Sequence, residues 1–274
     1  MRVTAKKKIA WDLDDTLIDT RYRYTIAKLR CAAIIVEALG GKAPYDPSQL
    51  LDELFRRNQR IDTALMEEYG LSPNRFPQSW VMTYREICSE KGVETDTGVE
   101  RKIKGAASKF RRGPFRATPE AIEALRQLKA AGHELFLITA GEKRLQRRKI
   151  RDAGLADFFG DRIYIVDRDK RPVLKKIAES DPKNVIMVGD SKRSDVAAAL
   201  DVGVHAVWVP TYGYWPADDA DVDLKNVSVL DSISDLPEFV RHLVGNGGRM
   251  CKCTRKCGQR SSSDSTPDST EQLG

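Results

Sequence analysis

The sequence predicts an α/β fold in which a parallel sheet is combined with an inserted all-helical segment. Short apolar runs alternate with helical patterns, and three of these runs end directly in carboxyl or hydroxyl side chains. Apolar runs without a polar face are typical of parallel strands covered by helices on both sides. Such sheets bind ligands beyond the carboxyl ends of their strands, so the polar residues at these ends form the candidate site.

The first predicted strand, residues 9–11, runs straight into Asp12, and Asp14 and Asp15 follow closely. Clustered carboxylates repel one another and lose hydration when they are buried, so a cation or a reaction has to offset that cost. Mg²⁺ favours one or two protein carboxylates together with phosphate oxygens and water, and Asp12 and Asp14 can supply the carboxylates. An ordinary turn after a strand is the competing interpretation, because Asp is a common turn residue.

Three further polar signals follow in chain order. The second predicted strand ends at Thr139, and a helical pattern begins directly after Lys170. A third predicted strand ends at Asp190, and Asp195 lies five residues further on. Because parallel strands end at one edge of a sheet, we expect these side chains to meet there, although they are far apart in the chain.

In this order the residues resemble the four motifs of the haloacid dehalogenase (HAD) superfamily of phosphohydrolases. The run Asp12-Leu13-Asp14-Asp15-Thr16 matches the first motif, Thr139 the second and Lys170 the third, while Asp190 and Asp195 match the fourth. The resemblance implies a Rossmann-like α/β core and a Mg²⁺ cofactor. The joint match of four motifs is far more specific than any one of them.

The resemblance also implies a role for each residue. Asp12 would attack phosphorus and become an aspartyl phosphate, while Asp14 would protonate the leaving oxygen and then activate water. Thr139, Ala140 and Lys170 would bind the phosphate of the substrate. The implied metal ligands are Asp12, Asp14 through its backbone carbonyl, Asp190 and Asp195.

Asp14 separates reactions within this superfamily. Dehalogenases lack an acid at that position, since a departing halide needs no proton, whereas an alkoxide does. General acid catalysis is typically worth ~10²–10⁴ in rate, so Asp14 favours phosphate-ester hydrolysis or phosphoryl transfer. Lys175 and Lys176 compete with Lys170 for the third motif, but solvated positions on the helix face suit them better.

Residues 20–114 contain helical patterns that end at glycines and no alternating strand. An insertion here matches the α-helical cap of one branch of the superfamily. We therefore expect a core over 1–19 and 115–245, a cap over 20–114 and a disordered polar tail over 246–274. The 17 Lys and Arg against 12 Asp and Glu between 20 and 114 either attract phosphorylated substrates or lie on solvated helix faces.

Composition bounds the remaining alternatives. No apolar stretch approaches the ~20 residues that cross a bilayer, and no signal region precedes Asp12, so we expect a cytoplasmic protein without membrane contact. Net charge is +6, yet no basic run is interleaved with aromatic residues, so nucleic acid is not an expected partner. Cys251, Cys253 and Cys257 cluster in the tail without a fourth ligand for zinc.

The predicted function is a Mg²⁺-dependent phosphatase that hydrolyses a small phosphorylated metabolite. A finer resemblance, to broad-specificity phosphatases acting on nucleotides, flavin mononucleotide or sugar phosphates, involves Gln146 and Lys149, which could equally be packing and surface positions. The alternatives are a HAD-fold binding or regulatory protein without turnover, or a phosphotransferase.

Overall fold

The structure, a computed structural model, describes residues 6–40, 46–179, 181–211 and 218–245. Six parallel strands form one sheet in the order β3-β2-β1-β4-β5-β6. The strands are β1 Lys8–Trp11, β2 Glu134–Ala140, β3 Ile163–Val166, β4 Val185–Gly189, β5 His205–Trp208 and β6 Val227–Val229. This is the strand order of doubly wound sheets, which confirms the predicted α/β class.

Helices cover both faces of the sheet. They are α6 Pro119–Ala130, α7 Lys143–Asp152, α8 Ala156–Phe159, α9 Arg171–Ala178, α10 Ala197–Val202 and α11 Leu236–Gly245. Successive residues of β1 point to opposite faces, so Ile9 and Trp11 enter the apolar cluster with α6 and α11, and Ala10 enters the one with α9 and α10. In register, Trp11 pairs with Leu137 on β2 and with Val188 on β4.

Among the described residues between β1 and α6, five helices form a separate packing unit, which we call the helical unit. They are α1 Arg21–Leu39, α2 Pro47–Ala64, α3 Met66–Tyr69, α4 Arg75–Glu90 and α5 Thr97–Ala107, followed by a 3₁₀ turn at Ser108–Arg111. Their apolar residues, Trp80, Phe76 and Phe110 among them, make a cluster of their own. The helical patterns of the sequence cover 24–39, 47–69, 77–91 and 97–110, and the structure divides the second of them between α2 and α3.

Within the described parts of the chain, none of the helices combines the length and apolar character that a bilayer crossing needs. The predicted tail, residues 246–274, lies outside the described residues, and so do its cysteines Cys251, Cys253 and Cys257.

Candidate active site

Three predicted site residues lie at the carboxyl ends of the central strands. Asp12 directly follows β1, Thr139 is the penultimate residue of β2, and Asp190 directly follows β4. The winding of the sheet reverses between β1 and β4, and doubly wound sheets bind ligands in the crevice at that point. The sheet thus brings together residues that are far apart in the sequence.

Lys170 is the cation at the centre of this site. Its side chain is only 2% exposed and donates hydrogen bonds to Asp12 and, at 2.6 Å, to Oδ1 of Asp195. Burial acts to lower the pKa of Lys170, but the two carboxylates outweigh it and raise that pKa above its usual value. Lys175 and Lys176 are exposed on α9, so Lys170 is the lysine of this segment that reaches the site.

Three carboxylates cluster at the site, and two of them contact this lysine. Oxygen atoms of Asp12, Asp190 and Asp195 lie within 4.8 Å of one another. Burial raises the pKa of Asp12, with Lys170 opposing and Asp195 reinforcing the effect. Burial and the charges of Asp12 and Asp195 likewise raise the pKa of Asp190 well above its usual value. A raised pKa means that the ionised form of these carboxylates is poorly stabilised by nearby cations. A divalent cation would stabilise it.

Gly189 makes room for one member of this cluster. A Cβ atom at Gly189 would lie 2.2 Å from Oδ2 of Asp195, which leaves no space for any other residue there. The same oxygen accepts a hydrogen bond from the backbone N–H of Ser191 at 3.1 Å. The close approach of Asp195 therefore requires glycine at position 189, the last residue of β4.

Asp14 is held apart from the three carboxylates. Nζ of Lys149 lies 2.7 and 2.9 Å from its two oxygens, and Nε2 of Gln146 lies 2.8 Å from Oδ2. Gln146 also donates to the hydroxyl of Thr139 at 2.6 Å and to the carbonyl of Ala140 at 3.1 Å. The carboxylate of Asp14 therefore has its own partners, and its predicted metal contact through the backbone carbonyl stays a prediction.

Gln146 and Lys149 belong to the site rather than to the surface. They are only 2% and 6% exposed, although both are polar and both lie on α7. Their spacing of three residues puts them on one face of the helix, a signal that the sequence contains. Which face meets Asp14 depends on how α7 packs, and that is not visible in a local pattern.

Asp15 joins the loop after β1 to the helical unit. It adopts a left-handed backbone conformation with φ of 59°, which costs a non-glycine residue roughly 1–2 kcal/mol. Its carboxylate accepts hydrogen bonds from the backbone N–H groups of Thr20 at 2.9 Å and Arg21 at 2.7 Å, at the start of α1. Arg21 also lies 3.0 Å from Oδ2 of Asp190, a contact that the sequence analysis missed.

A cavity of about 480 Å³ separates this site from the helical unit. Its floor is the carboxylate site of the core, and its roof comes from α1, α2, α4 and residues between α2 and α4. The residues that line the roof include Tyr24, Lys28, Asn58, Asp62, Arg75 and Phe76. Cavities of this size suit small molecules.

A model of the haloacid dehalogenase-like hydrolases matches residues 6–203. The chain belongs to this family. A glyceraldehyde 3-phosphate phosphatase of Pyrococcus furiosus is 30% identical over 252 residues, which are 88% of this chain and 95% of that protein. A phosphoserine phosphatase of Thermus thermophilus is 28% identical over 244 residues, 80% of this chain and 94% of that protein.

A solved haloacid dehalogenase-like hydrolase from Xanthomonas campestris has the same fold. Its TM-score is 0.68 at 21% sequence identity, with 89% of this chain and 94% of that chain covered. The resemblance inferred from the four motifs is therefore confirmed at the level of family and fold.

Proposed function

We propose that this protein is a Mg²⁺-dependent phosphatase that hydrolyses a small phosphate monoester through an aspartyl phosphate on Asp12. Membership of the hydrolase family and the similarity to phosphatases support hydrolysis of phosphate monoesters. The observation that carries the finer proposal is the pair of carboxylates on one cavity floor. Asp12 contacts Lys170 and Asp14 contacts Lys149, so each has a separate cationic partner.

Asp12 is the proposed nucleophile. One of its oxygens attacks phosphorus as the bond to the ester oxygen breaks, and Asp14 gives its proton to that leaving oxygen. Water then attacks the phosphorus of the aspartyl phosphate, Asp14 takes the proton from water, and Asp12 and inorganic phosphate are released. Two displacements on phosphorus replace one difficult hydrolysis.

Gln146 and Lys149 are the proposed positioning residues for Asp14. Together they place three hydrogen bonds on its carboxylate, with donor–acceptor distances of 2.7 to 2.9 Å. A general acid must lie within hydrogen-bond reach of the atom that it protonates. A carboxylate that is already held in place loses less orientational freedom in the transition state than a mobile one. Thr139, Ala140 and Lys170 are the proposed contacts to the phosphate of the substrate.

The donor set of the cluster fits Mg²⁺. Asp12, Asp190 and Asp195 offer carboxylate oxygens, the ligand type that Mg²⁺ prefers, and the raised pKa values of Asp12 and Asp190 indicate negative charge that nearby cations do not fully balance. When bound, the ion would neutralise charge on the transferring phosphoryl group. Asp14 is proposed to complete the protein ligands through its backbone carbonyl.

The helical unit is the proposed cap, with its boundaries near residues 20 and 114. It supplies the roof of the cavity, while the core supplies every proposed catalytic residue. Closure of such a roof over a small ligand would exclude water other than the attacking molecule. The residues of the roof would then determine which substrates bind.

Phosphate release from a panel of small phosphate esters tests this proposal. We expect turnover with Mg²⁺, its loss with excess chelator, and its loss in Asp12→Asn. Asp19→Asn is a matched control, because Asp19 is an exposed carboxylate in the same loop. Hydrolysis by Asp12→Asn at the wild-type rate would contradict the covalent route, and undiminished hydrolysis in metal-free protein would contradict the role of Mg²⁺.

A further inference from the structure

Lys28 lies on the stripe of α1 that lines the cavity. The stripe begins at Arg21, which contacts Asp190 on the floor, and continues through Tyr24 and Thr25 to Lys28. Residues three, four and seven positions apart share one face of a helix. At 1.5 Å per residue, the Cα atom of Lys28 is roughly 10 Å along the helix from that of Arg21, towards the roof.

The ammonium group of Lys28 lacks a bonded counter-ion within the described chain. Among residues 6–40, 46–179, 181–211 and 218–245, no hydrogen bond or ion pair reaches its Nζ, although the side chain is half-buried. Asp62 is the carboxylate that acts on it electrostatically, but Asp62 is already bonded to Nη1 of Arg75 at 2.8 Å. The ammonium group of Lys28 can therefore form an ion pair with an anionic ligand.

The surroundings of Lys28 favour an anion. Burial lowers its pKa, an effect that Asp62 opposes and Arg21 reinforces. Removing a cation from water without a bonded partner is unfavourable, and a bound anion would offset that cost. Among the described lining residues that the helical unit contributes, Arg21, Lys28 and Arg75 carry positive charge against the single carboxylate of Asp62.

We propose that Lys28 determines specificity by binding a negatively charged group on the leaving-group part of the substrate. The substrate class is a small phosphate monoester that carries a second anion, either a carboxylate or a second phosphate. This inference rests on the proposed phosphatase function and narrows it. Lys28 contacts the substrate away from the reacting atoms, so it contributes to binding more than to chemistry.

A matched pair of substrates tests this role. In glycerol 3-phosphate a hydroxymethyl group replaces the carboxylate of 3-phosphoglycerate, and the chain length is the same. We expect the wild type to prefer 3-phosphoglycerate, and we expect Lys28→Gln to lower kcat/KM for it by about 10- to 100-fold, the usual worth of a hydrogen bond to a charged group. The change should appear mainly in KM, and glycerol 3-phosphate should be affected little.

Control variants, a second substrate and a binding measurement separate the effect of charge from other effects of the substitution. Lys28→Arg keeps the charge and should keep most of the preference, whereas Lys102→Gln removes an exposed charge from α5 and should change nothing. The kcat/KM for a propanediol bisphosphate, relative to that for 3-phosphoglycerate, shows whether a second phosphate or a carboxylate is the preferred anion. Calorimetric binding of 3-phosphoglycerate to Asp12→Asn with Mg²⁺, with and without Lys28→Gln, measures the anion contact without turnover.

The outcomes distinguish the two proposals. A wild type that hydrolyses p-nitrophenyl phosphate but treats both members of the pair alike would overturn the role of Lys28 and leave the phosphatase proposal standing. Equal losses for both substrates in Lys28→Gln would do the same. A wild type that hydrolyses no ester, yet loses 3-phosphoglycerate binding on Lys28→Gln, would refute the phosphatase proposal and support the anion contact.

Discussion

Two buried polar clusters face each other across the cavity, and their charges differ. On the floor, Asp12, Asp190 and Asp195 cluster, Asp12 and Asp195 share the buried Lys170, and Arg21 contacts Asp190. In the helical unit, the carboxylate of Asp62 is paired with Arg75, and both side chains are at most 8% exposed. The first cluster carries more negative than positive charge, whereas the second is balanced.

Neutral hydrogen bonds form a second buried network in the helical unit. Asn58 donates to the hydroxyls of Ser79 at 3.0 Å and Thr83 at 3.3 Å, inside the packing of α2 against α4. Such a network satisfies its members within the protein and stabilises the unit that contains it. The floor cluster instead stabilises the fold only when something else adds positive charge. An excess of buried charge of one sign is therefore the feature that distinguishes a ligand site from a structural network.

The largest expected difference is in turnover. Asp12→Asn should lower kcat by roughly 10⁴-fold or more, because it removes the proposed nucleophile, and Asp14→Asn by about 10²–10⁴-fold, because it removes the proposed proton carrier. Asp62→Asn should keep kcat within a few fold of the wild type at a temperature where it is folded. Steady-state kinetics on all three variants measure this. A loss in Asp62→Asn as large as in Asp12→Asn would abolish the distinction.

The free energy of unfolding should depend more on the Asp62–Arg75 pair than on the floor carboxylates. Asp62→Asn leaves Arg75 buried without its carboxylate and should lower the free energy of unfolding by about 3–5 kcal/mol. The double variant Asp62→Leu with Arg75→Met removes both charges and should recover most of that loss. Urea unfolding in metal-free buffer gives the values. If the single and double variants lose equal stability, the pair is not a balanced unit.

Asp190→Asn should be neutral or stabilising in metal-free protein, because it removes one of three carboxylates that repel one another. The wild type should gain about 2.7 kcal/mol at an Mg²⁺ concentration one hundred times the dissociation constant, and the variant should gain much less. Thermal melts with and without Mg²⁺ check both statements. A variant that melts far below the metal-free wild type would show that the cluster is not strained by its charge.

A smaller effect should follow pH. The raised pKa values of Asp12 and Asp190 mean that the stability they contribute is present below their ordinary pKa and is lost as pH rises through the raised values, provided that metal is absent. Protons and Mg²⁺ compete for the same oxygens, so Mg²⁺ affinity should increase by up to about tenfold per pH unit between about pH 5 and 8. Calorimetric titrations at several pH values test the sign, and an affinity that falls with rising pH would contradict it.

The central strands could be predicted from sequence because each combines an apolar run with a polar end. β1, β2 and β4 have that signal and are largely buried, whereas β3 is only partly buried along its length, and the sequence analysis did not single it out although Asp167 follows it directly. The hydrogen bonds of Arg21 to Asp15 and Asp190 could not be predicted either, because they depend on where α1 starts relative to β1 and β4. Local patterns identify residues that are suited to a site, but the packing of α1 and α7 decides which of them reach it.

Chemical trapping of the intermediate tests the central claim most directly. Wild-type protein with Mg²⁺ and p-nitrophenyl phosphate is quenched in acid during turnover, reduced with borohydride and analysed by peptide mass spectrometry. The reduction converts an aspartyl phosphate to homoserine, and we expect homoserine at position 12, and none at position 14, in the wild type but not in Asp12→Asn. Turnover without homoserine at position 12, or with homoserine at another carboxylate, would contradict the assignment of Asp12 as the nucleophile.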